Sequence, residues 1–398
     1  PSSAGDGWTK PRGYGVELVQ PIFRGFRTYN AVNAAEATVR SEREILRDVE
    51  RIVLLQAVTA YMDVVRDQEL VRLNENNVNV LTRELRASQD RFEVGEVTRT
   101  GVAQAEGRRA DAVSGVDRAR ANLRRSRGAY EQVVGNPPRN RAWPAPPDQF
   151  LPPTMQEAIA VGNNEDPLVV AALYREQAAK YQVDQIRGEL LPTVQLEASY
   201  DDRFNSDFIF SEDETAVVRG VMSVPIYQAG DVSARVRQAK QNHVGFLQQI
   251  EQVRTEQQQV LVAAWSQLEA ARAQLKSDRV AVESNRVALQ GVREEEKVGQ
   301  RTLLDVLNAE LEYLNSQVAL EQDRRNLVVA AYTVLGAMGR LDAAWIGAAH
   351  FVYDPNVHYK EVRRKWGGLS ITHADGRRET FEAVPVEPVI VDQGWEPK

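Results

Sequence analysis

The 398-residue chain contains no cysteine and only four histidines. Without cysteine it can form no disulfide, no thiolate metal site and no thiol nucleophile. Four scattered histidines leave little material for a histidine-rich metal centre or for histidine-based acid–base catalysis. We therefore expect no enzyme activity, no catalytic residue, no metal site and no cofactor.

A basic excess and long apolar runs are also lacking. The formal net charge is −7, whereas a dedicated nucleic-acid-binding protein usually carries a basic surplus. The longest apolar run, residues 327–339, is shorter than the roughly 18–20 residues that a membrane-spanning helix needs. No basic region followed by an apolar core stands at the amino terminus, so a signal peptide is expected to have been removed or never to have been present.

An internal repeat organises the chain. Residues that lie 204 positions apart match without a gap from the first strand to the end of the helices, which chance similarity would not sustain. The matching pairs include Pro21 with Pro225, Val94 with Val298, Ala105 with Ala309, and Gly135 with Gly339. The chain therefore contains two copies of one unit, at about residues 10–135 and 214–339.

Alternation of apolar and polar residues predicts three strands. In the first copy Tyr14, Val16 and Leu18 share one parity, and residues 193–200 and 215–224 alternate in the same way. A period of two is typical of a strand with one apolar face. A short polar stretch separates the two later strands, which predicts a β-hairpin.

A proline and then a long helical pattern follow the first and the last of these strands. Residues 29–93 and 232–297 contain no proline and place apolar residues every three or four positions. Helices of about 65 residues would be roughly 100 Å long, which implies coiled-coil packing. Each long helix ends at a Val-Gly tip, and a returning helix is predicted after each tip, over about 98–134 and 302–338.

A further helix is predicted over residues 165–188. Its length added to that of a returning helix nearly equals one long helix, so we expect the two shorter helices to stack end to end beside a long one. Within the second returning helix, Glu321 and Arg325 have the spacing of an ion pair along one helix.

These patterns divide the chain into four parts. Residues 1–135 form the first structural repeat, with a strand, a long helix and a returning helix. Residues 136–153 are rich in proline and predict an extended linker. Residues 154–339 form the second repeat, with a helix, two strands, a long helix and a returning helix. Residues 340–398 show no clear period and predict an irregular tail.

The two copies of strand, long helix, glycine tip and returning helix resemble the TolC family of trimeric outer membrane channels. The similarity runs from about Tyr14 to Leu341, and segments 94–106 and 298–310 are similar to the family's two tips. It implies a mainly α-helical homotrimer in which long coiled-coil hairpins form a periplasmic tunnel. The strands, four from each subunit, would form a 12-stranded β-barrel in the cell outer membrane.

The resemblance also implies a function. The protein would be a passive outer membrane duct for type I protein secretion, drug efflux or both. Its partners would be a periplasmic adaptor (membrane fusion protein), an inner-membrane ABC or RND transporter and outer membrane lipid, without nucleic acid. The inner-membrane partner would supply the energy, and the duct would open at its periplasmic tip.

Two features depart from the family pattern. Only three strands are visible, so a helix and a strand are expected upstream of Trp8 in the full gene product. The family commonly has an acidic residue at the position of Gly101, where that acid can meet the tip arginine. We therefore expect Arg301 to use a nearby acid such as Glu296, or backbone carbonyl groups of a neighbouring helix, when the tip is closed.

The resemblance assigns two sets of site residues at the tips. The gate residues would be Arg301, Asp305, Asn308 and Glu296. The adaptor-docking tip would comprise Val94, Gly95, Glu96, Val97, Val298, Gly299 and Gln300. A ring of three Asp305 side chains would favour cations. Spacing alone favours another explanation, a solvated helix start with an aspartate near the positive end of the helix dipole, and the resemblance reverses that preference.

A second class of function stays open, namely a periplasmic coiled-coil adaptor or scaffold. Such proteins also use long α-helical hairpins. The strands at matching points of both copies argue against this class, because a scaffold needs no such alternation.

Overall fold

The computed structural model describes residues 12–138, 142–204, 212–343, 354–363, 365, 370–372 and 378–380. The chain divides into two compact units, Pro1–Asp342 and Ala343–Lys398. Within the described residues, the first unit contains three strands and six α-helices, and the second contains one short helix and a two-stranded sheet.

The three strands of the first unit form one antiparallel sheet in the order β1–β2–β3. Their bounds are Arg12–Arg24 for β1, Thr193–Phe204 for β2 and Glu212–Ser223 for β3. Val16 lies opposite Tyr200, and Tyr200 lies opposite Ala216, so alternate residues of all three strands share one apolar face. The predicted alternation is confirmed, while residues 205–211 of the predicted hairpin turn lie outside the described residues.

Two helices of 67 residues each, α1 (Arg27–Glu93) and α5 (Asp231–Lys297), dominate the first unit. The returning helices are α2 (Arg99–Val134) and α6 (Leu303–Ala337). Helix α1 packs against α2 and α5 packs against α6, which gives two antiparallel helical hairpins. These bounds confirm the four predicted helices to within two residues. Among the described residues, the helices include none that combines the length and the apolar character needed to cross a membrane.

The helix predicted over residues 165–188 is confirmed to within two residues at its start and one residue at its end, and a second, shorter helix precedes it. Two helices are present, α3 (Met155–Glu165) and α4 (Pro167–Arg187). Asp166 stands between them and accepts hydrogen bonds from the backbone N–H groups of Leu168 at 2.9 Å and Val169 at 3.3 Å. An aspartate N-cap followed by proline at the first helical position starts a new helix and ends the one before it.

The predicted end-to-end stacking of two short helices is confirmed. The end of α6 meets the start of α4, where a Cβ atom on Gly339 would lie 2.6 Å from the carbonyl oxygen of Glu165. Helix α1 runs beside both helices. Its Arg51 donates to the Asp166 carboxylate at 3.1 Å and to the Gly336 carbonyl oxygen at 3.0 Å. This arginine therefore fastens the junction to the long helix.

A core cluster fills the space where α3, α5 and α6 meet. Large side chains of α5 contact a row of small residues on the other two helices, which allows close helix approach. The cluster includes Leu261, Trp265, Leu268, Ala158, Ala330, Ala331 and Val334. The proline-rich linker crosses nearby, with the Trp143 ring 4.5 Å from the Arg324 guanidinium and Asp148 paired with Arg272 at 2.6 Å.

The second unit has short elements of its own. Helix α7 spans Pro355–Arg363, and strand β4 (Ser370–Thr372) pairs antiparallel with β5 (Arg378–Thr380). The tail, which was expected to be irregular, thus contains regular structure in these segments.

Candidate gate and docking tip

The two hairpin tips have the same backbone geometry. Gly95 has φ 80° and Gly299 has φ 77°. In each tip the glycine N–H donates to the carbonyl oxygen three residues earlier, and the next N–H donates to the carbonyl oxygen five residues earlier. Positive φ is accessible to glycine, and this pair of hydrogen bonds is the Schellman ending of a helix. The repeat therefore builds two equivalent tips.

Valine side chains project from both tips. Val94 is 71% exposed and Val298 is 70% exposed. Glu96 and Gln300 are exposed beside them, and Val97 is half-buried. Apolar side chains exposed at equivalent points of two tips form a surface that another molecule could cover.

Arg301 pairs with a nearby acid, as predicted, but that acid is not Glu296. Its Nε donates to Glu295 Oε2 at 2.9 Å, within the second hairpin. Glu296, the predicted partner, instead accepts from Arg91 Nη1 of the first hairpin at 2.5 Å. Successive residues of a helix point in different directions, so Glu296 faces the first hairpin while Glu295 faces Arg301. A gate role of Glu296 stays a prediction, now through Arg91.

Asp305 caps the start of α6. Its Oδ2 accepts from the Thr302 backbone N–H at 3.0 Å and from the Thr302 hydroxyl at 2.8 Å, and its own N–H donates to that hydroxyl oxygen at 3.3 Å. This is a capping box. The backbone hydrogen bond from Thr302, with the hydroxyl second, holds the pKa of Asp305 below its usual range. Asp305 is therefore ionised at neutral pH.

Asn308 connects the second hairpin to the first. Its Oδ1 accepts from Arg108 Nη2 of α2 at 2.7 Å. An asparagine oxygen can accept this bond as an aspartate would, although without the full charge. Asn308 thus has a partner within the same protomer.

Gly101 has a local packing role. A Cβ atom at this position would lie 2.8 Å from Val97 Cγ1 and 3.9 Å from Leu303 Cδ2. Because Val97 covers this position, an acidic side chain would have to displace it.

A cleft of about 520 Å³ lies between the two tips. Its walls come from both hairpins and include Val97, Gly101, Glu296, Arg301 and Leu304. Five of the predicted tip and gate residues line this cleft, namely Glu96, Val97, Gly299, Glu296 and Arg301. The structure adds two contact residues that sequence reasoning missed, namely Arg91 and Arg108.

One of these omissions had a signal in the sequence. Arg91 and Glu295 are 204 positions apart, so the repeat places them at equivalent points in the last turns of the two long helices. Opposite charges at equivalent points indicate that charged contacts form at the tips, although Arg91 pairs with Glu296, the residue after its equivalent. Arg108 had no such signal, because its contact with Asn308 depends on how α2 and α6 cross.

The comparisons with known proteins agree with this architecture. A family model for the outer membrane efflux protein matches residues 2–136 and 162–340. The chain is 40% identical over 366 residues to the outer membrane efflux protein BepC of Brucella suis biovar 1, across 91% of this chain and 79% of BepC. It is 24% identical over 357 residues to the outer membrane protein TolC of Escherichia coli strain K12, across 82% of this chain and 69% of TolC. In fold it is similar to the solved structure of CusC, with a TM-score of 0.72 and 16% sequence identity. The match covers 85% of this chain and 80% of the CusC chain.

Proposed function

The chain belongs to the outer membrane efflux protein family, and on that premise we propose that it works as a homotrimeric export duct which docks a periplasmic adaptor and an inner-membrane transporter at its tips. It is an outer membrane protein of a non-enzymatic transport family. The observation that carries the docking proposal is the pair of equivalent tips with exposed valines.

The tips suit a helical partner. Two apolar side chains at matching positions, next to a cleft of about 520 Å³, offer a surface into which the end of another helical hairpin can pack. In a homotrimer this surface occurs three times, so an adaptor with several copies could engage all of them. Repetition of modest contacts raises the overall affinity through effective concentration.

The gate would open by separation of the two hairpins near the tips. Two contacts oppose that movement, from Arg91 to Glu296 and from Arg108 to Asn308. Asp305, ionised and three-fold repeated in a trimer, would make the narrow end selective for cations. The Arg301–Glu295 pair lies within one hairpin and would instead stiffen the second tip.

The cargo we propose is small molecules expelled from the cell. This rests on the similarity to BepC, which is named an efflux protein. Type I protein secretion is the other cargo class, and the transporter that co-purifies with the chain would distinguish the two.

Charged substitutions at the tips test docking. Val94→Asp combined with Val298→Asp should abolish efflux in a strain that lacks its own duct, because adaptor contact is lost while the helices remain. Val280→Asp is the matched control, since Val280 is 63% exposed on α5 away from the tips. Efflux by the tip variant at the wild-type rate, with normal trimer levels, would overturn the docking proposal.

A further inference from the structure

A cleft of about 530 Å³ opens where the sheet joins the helices. Its walls come from the start of α1, the last turn of α4 and the segment 188–191, which leads into β2. The backbones of Gly25 and Gly188 meet beside it, since a Cβ atom on either glycine would collide with the carbonyl oxygen of the other. The exposed side chains that line the cleft are mainly apolar, namely Phe26, Tyr29, Leu190 and Leu191. The cleft is therefore an open apolar space.

Phe26, at the edge of this cleft, has an unfavourable backbone conformation. Its φ is 60°, in the left-handed region that bulky side chains rarely adopt. The repeat places Gly230, with φ 79°, at the equivalent point of the second copy, so glycine can make the same turn. The Phe26 ring packs edge-on against Phe23, with the ring centroids 5.2 Å apart. The fold thus keeps an aromatic ring at the cleft at a cost in backbone energy.

The cleft continues the apolar face of the sheet. A bulge near the end of β1 brings Phe23 opposite Val194, which shares the parity of the other apolar residues of β2. The opposite face is charged, and there Arg219 Nε donates to Glu197 Oε2 at 2.7 Å. In an outer membrane protein, an exposed apolar face is the one that contacts lipid. Because Phe26 packs on Phe23, the cleft lies on the side that faces lipid.

The cleft also lies at the level of the lipid head groups. The helices of this outer membrane family extend into the periplasm, so the end of the sheet that joins them is its periplasmic end. Exposed tyrosines mark both ends of the apolar face, with Tyr14 at one end, and Tyr29 and Tyr227 near the starts of the long helices. Tyrosine is enriched at membrane–water interfaces, because its ring is apolar and its hydroxyl group is polar. The cleft therefore faces the periplasmic leaflet.

Two opposite charges at the cleft are available to a ligand. Asp184 and Arg187 both line it, both are exposed, and their spacing of three residues puts them on one face of α4. In the part of the chain that the structure describes, neither side chain forms a hydrogen bond or an ion pair. The neighbouring cations Arg27 and Arg235, in contrast, are both paired with Glu189. A carboxylate and a guanidinium that are not paired with each other suit a ligand that carries an ammonium and a phosphate group.

We propose that the cleft binds one zwitterionic amino-phospholipid of the periplasmic leaflet. An acyl chain of the lipid packs against Phe26 and Leu190, the phosphate group binds Arg187, and the ammonium group binds Asp184. Since α1 and α4 both contribute walls, the bound lipid fastens the two helices where they meet the sheet. The proposal rests on the outer membrane location of the family and is independent of the docking and cargo proposals.

Native mass spectrometry of the intact detergent-solubilised protein, after removal of its lipid, tests the head group. Phosphatidylethanolamine should bind about tenfold more tightly than phosphatidylglycerol with the same acyl chains, since phosphatidylglycerol has the phosphate but no ammonium group. Asp184→Asn should remove that preference, whereas Arg187→Gln should weaken the binding of both lipids. Arg279→Gln is the matched control and should change neither affinity, since Arg279 is exposed on α5 about 70 Å along the helix from its start.

Labelling of a single thiol tests where the lipid binds. The chain has no cysteine, so Leu190→Cys introduces one reactive site in the cleft. A maleimide should modify this thiol in the lipid-free protein, and phosphatidylethanolamine should slow the reaction more than phosphatidylglycerol does. A thiol that is already protected without lipid would show that another copy of the chain, or another part of it, fills the cleft, and would overturn the proposal.

Equal affinity of the wild-type protein for the two lipids would also overturn the proposal, and so would a preference for phosphatidylethanolamine that survives in Asp184→Asn. Neither measurement involves the tips or transport, so its outcome is separate from that of the docking proposal. The binding measurement keeps the test decisive if Leu190→Cys does not fold.

Discussion

Single arginines connect the two hairpins near their tips. Arg91 reaches Glu296 and Arg108 reaches Asn308, each from the first hairpin to the second. Arg301 stays within the second hairpin, paired with Glu295. Contacts between hairpins resist their separation, whereas a contact within one hairpin does not.

Arg91→Gln should therefore raise the open probability of the duct. The Arg91 side chain is 40% exposed, so its pair with Glu296 is partly screened and contributes about 0.2–1 kcal/mol. Loss of that amount corresponds to roughly a 1.5- to 5-fold increase in the open population, which single-channel recording measures. Arg286→Gln, which removes an exposed pair within α5, should leave the open probability unchanged. Equal effects of the two substitutions would show that Arg91 is not a latch.

The sequence located the tip residues but not all of their partners. The motif around Gly299 and the spacing of Thr302 and Asp305 are local features, and the structure places them at the tip with Asp305 as part of a cap. The choice between Glu295 and Glu296 as the partner of Arg301 depends on which direction each side chain faces across the cleft. The sequence does not distinguish Glu295 from Glu296 as a partner, because only the packed structure determines which side chain faces Arg301.

For whole helices, the sequence predicted the bounds but not every contact between side chains. Apolar periodicity predicted the bounds of α1, α2, α5 and α6 closely, because each helix buries one stripe along its length. The predicted ion pair between Glu321 and Arg325 is not formed. Glu321 pairs with Arg324 at 3.1 Å, and Arg325 reaches Asp63 of α1. A half-buried partner on another helix replaces a pair along one helix, whose contribution is only about 0.2–0.5 kcal/mol.

The junction of α6 with α4 gives a prediction for helix stacking. Asp166 is fully buried, caps α4 and binds Arg51, so Asp166→Ala removes the cap and one partner of a mostly buried arginine. We expect a loss of about 2–4 kcal/mol in the free energy of unfolding. Chemical denaturation measures this loss. Asp148→Ala is the control, since it removes an exposed pair with Arg272 and should cost less than about 1 kcal/mol. Equal losses in both variants would show that the junction does not depend on Asp166.

For the molecule as a whole, one repeat offset accounts for the plan of the first unit. The offset of 204 positions aligns β1 with β3, α1 with α5 and α2 with α6, so both hairpins begin beside the sheet and end at a glycine tip. This order was predictable because a repeat transfers each local pattern to its copy. The break at Asp166 and the contacts of the linker were not predictable in this way, because they lie outside the repeated segments.

Single-channel recording of the purified protein in planar lipid bilayers tests the central claim, that the chain is an outer membrane export duct, most directly. The account predicts discrete conductance steps from trimers, with block by multivalent cations added on the tip side, where Asp305 carries its charge. Folded trimers that insert into the bilayer and show no conductance, even when Arg91→Gln and Arg108→Ala are combined to free the hairpins, would contradict it.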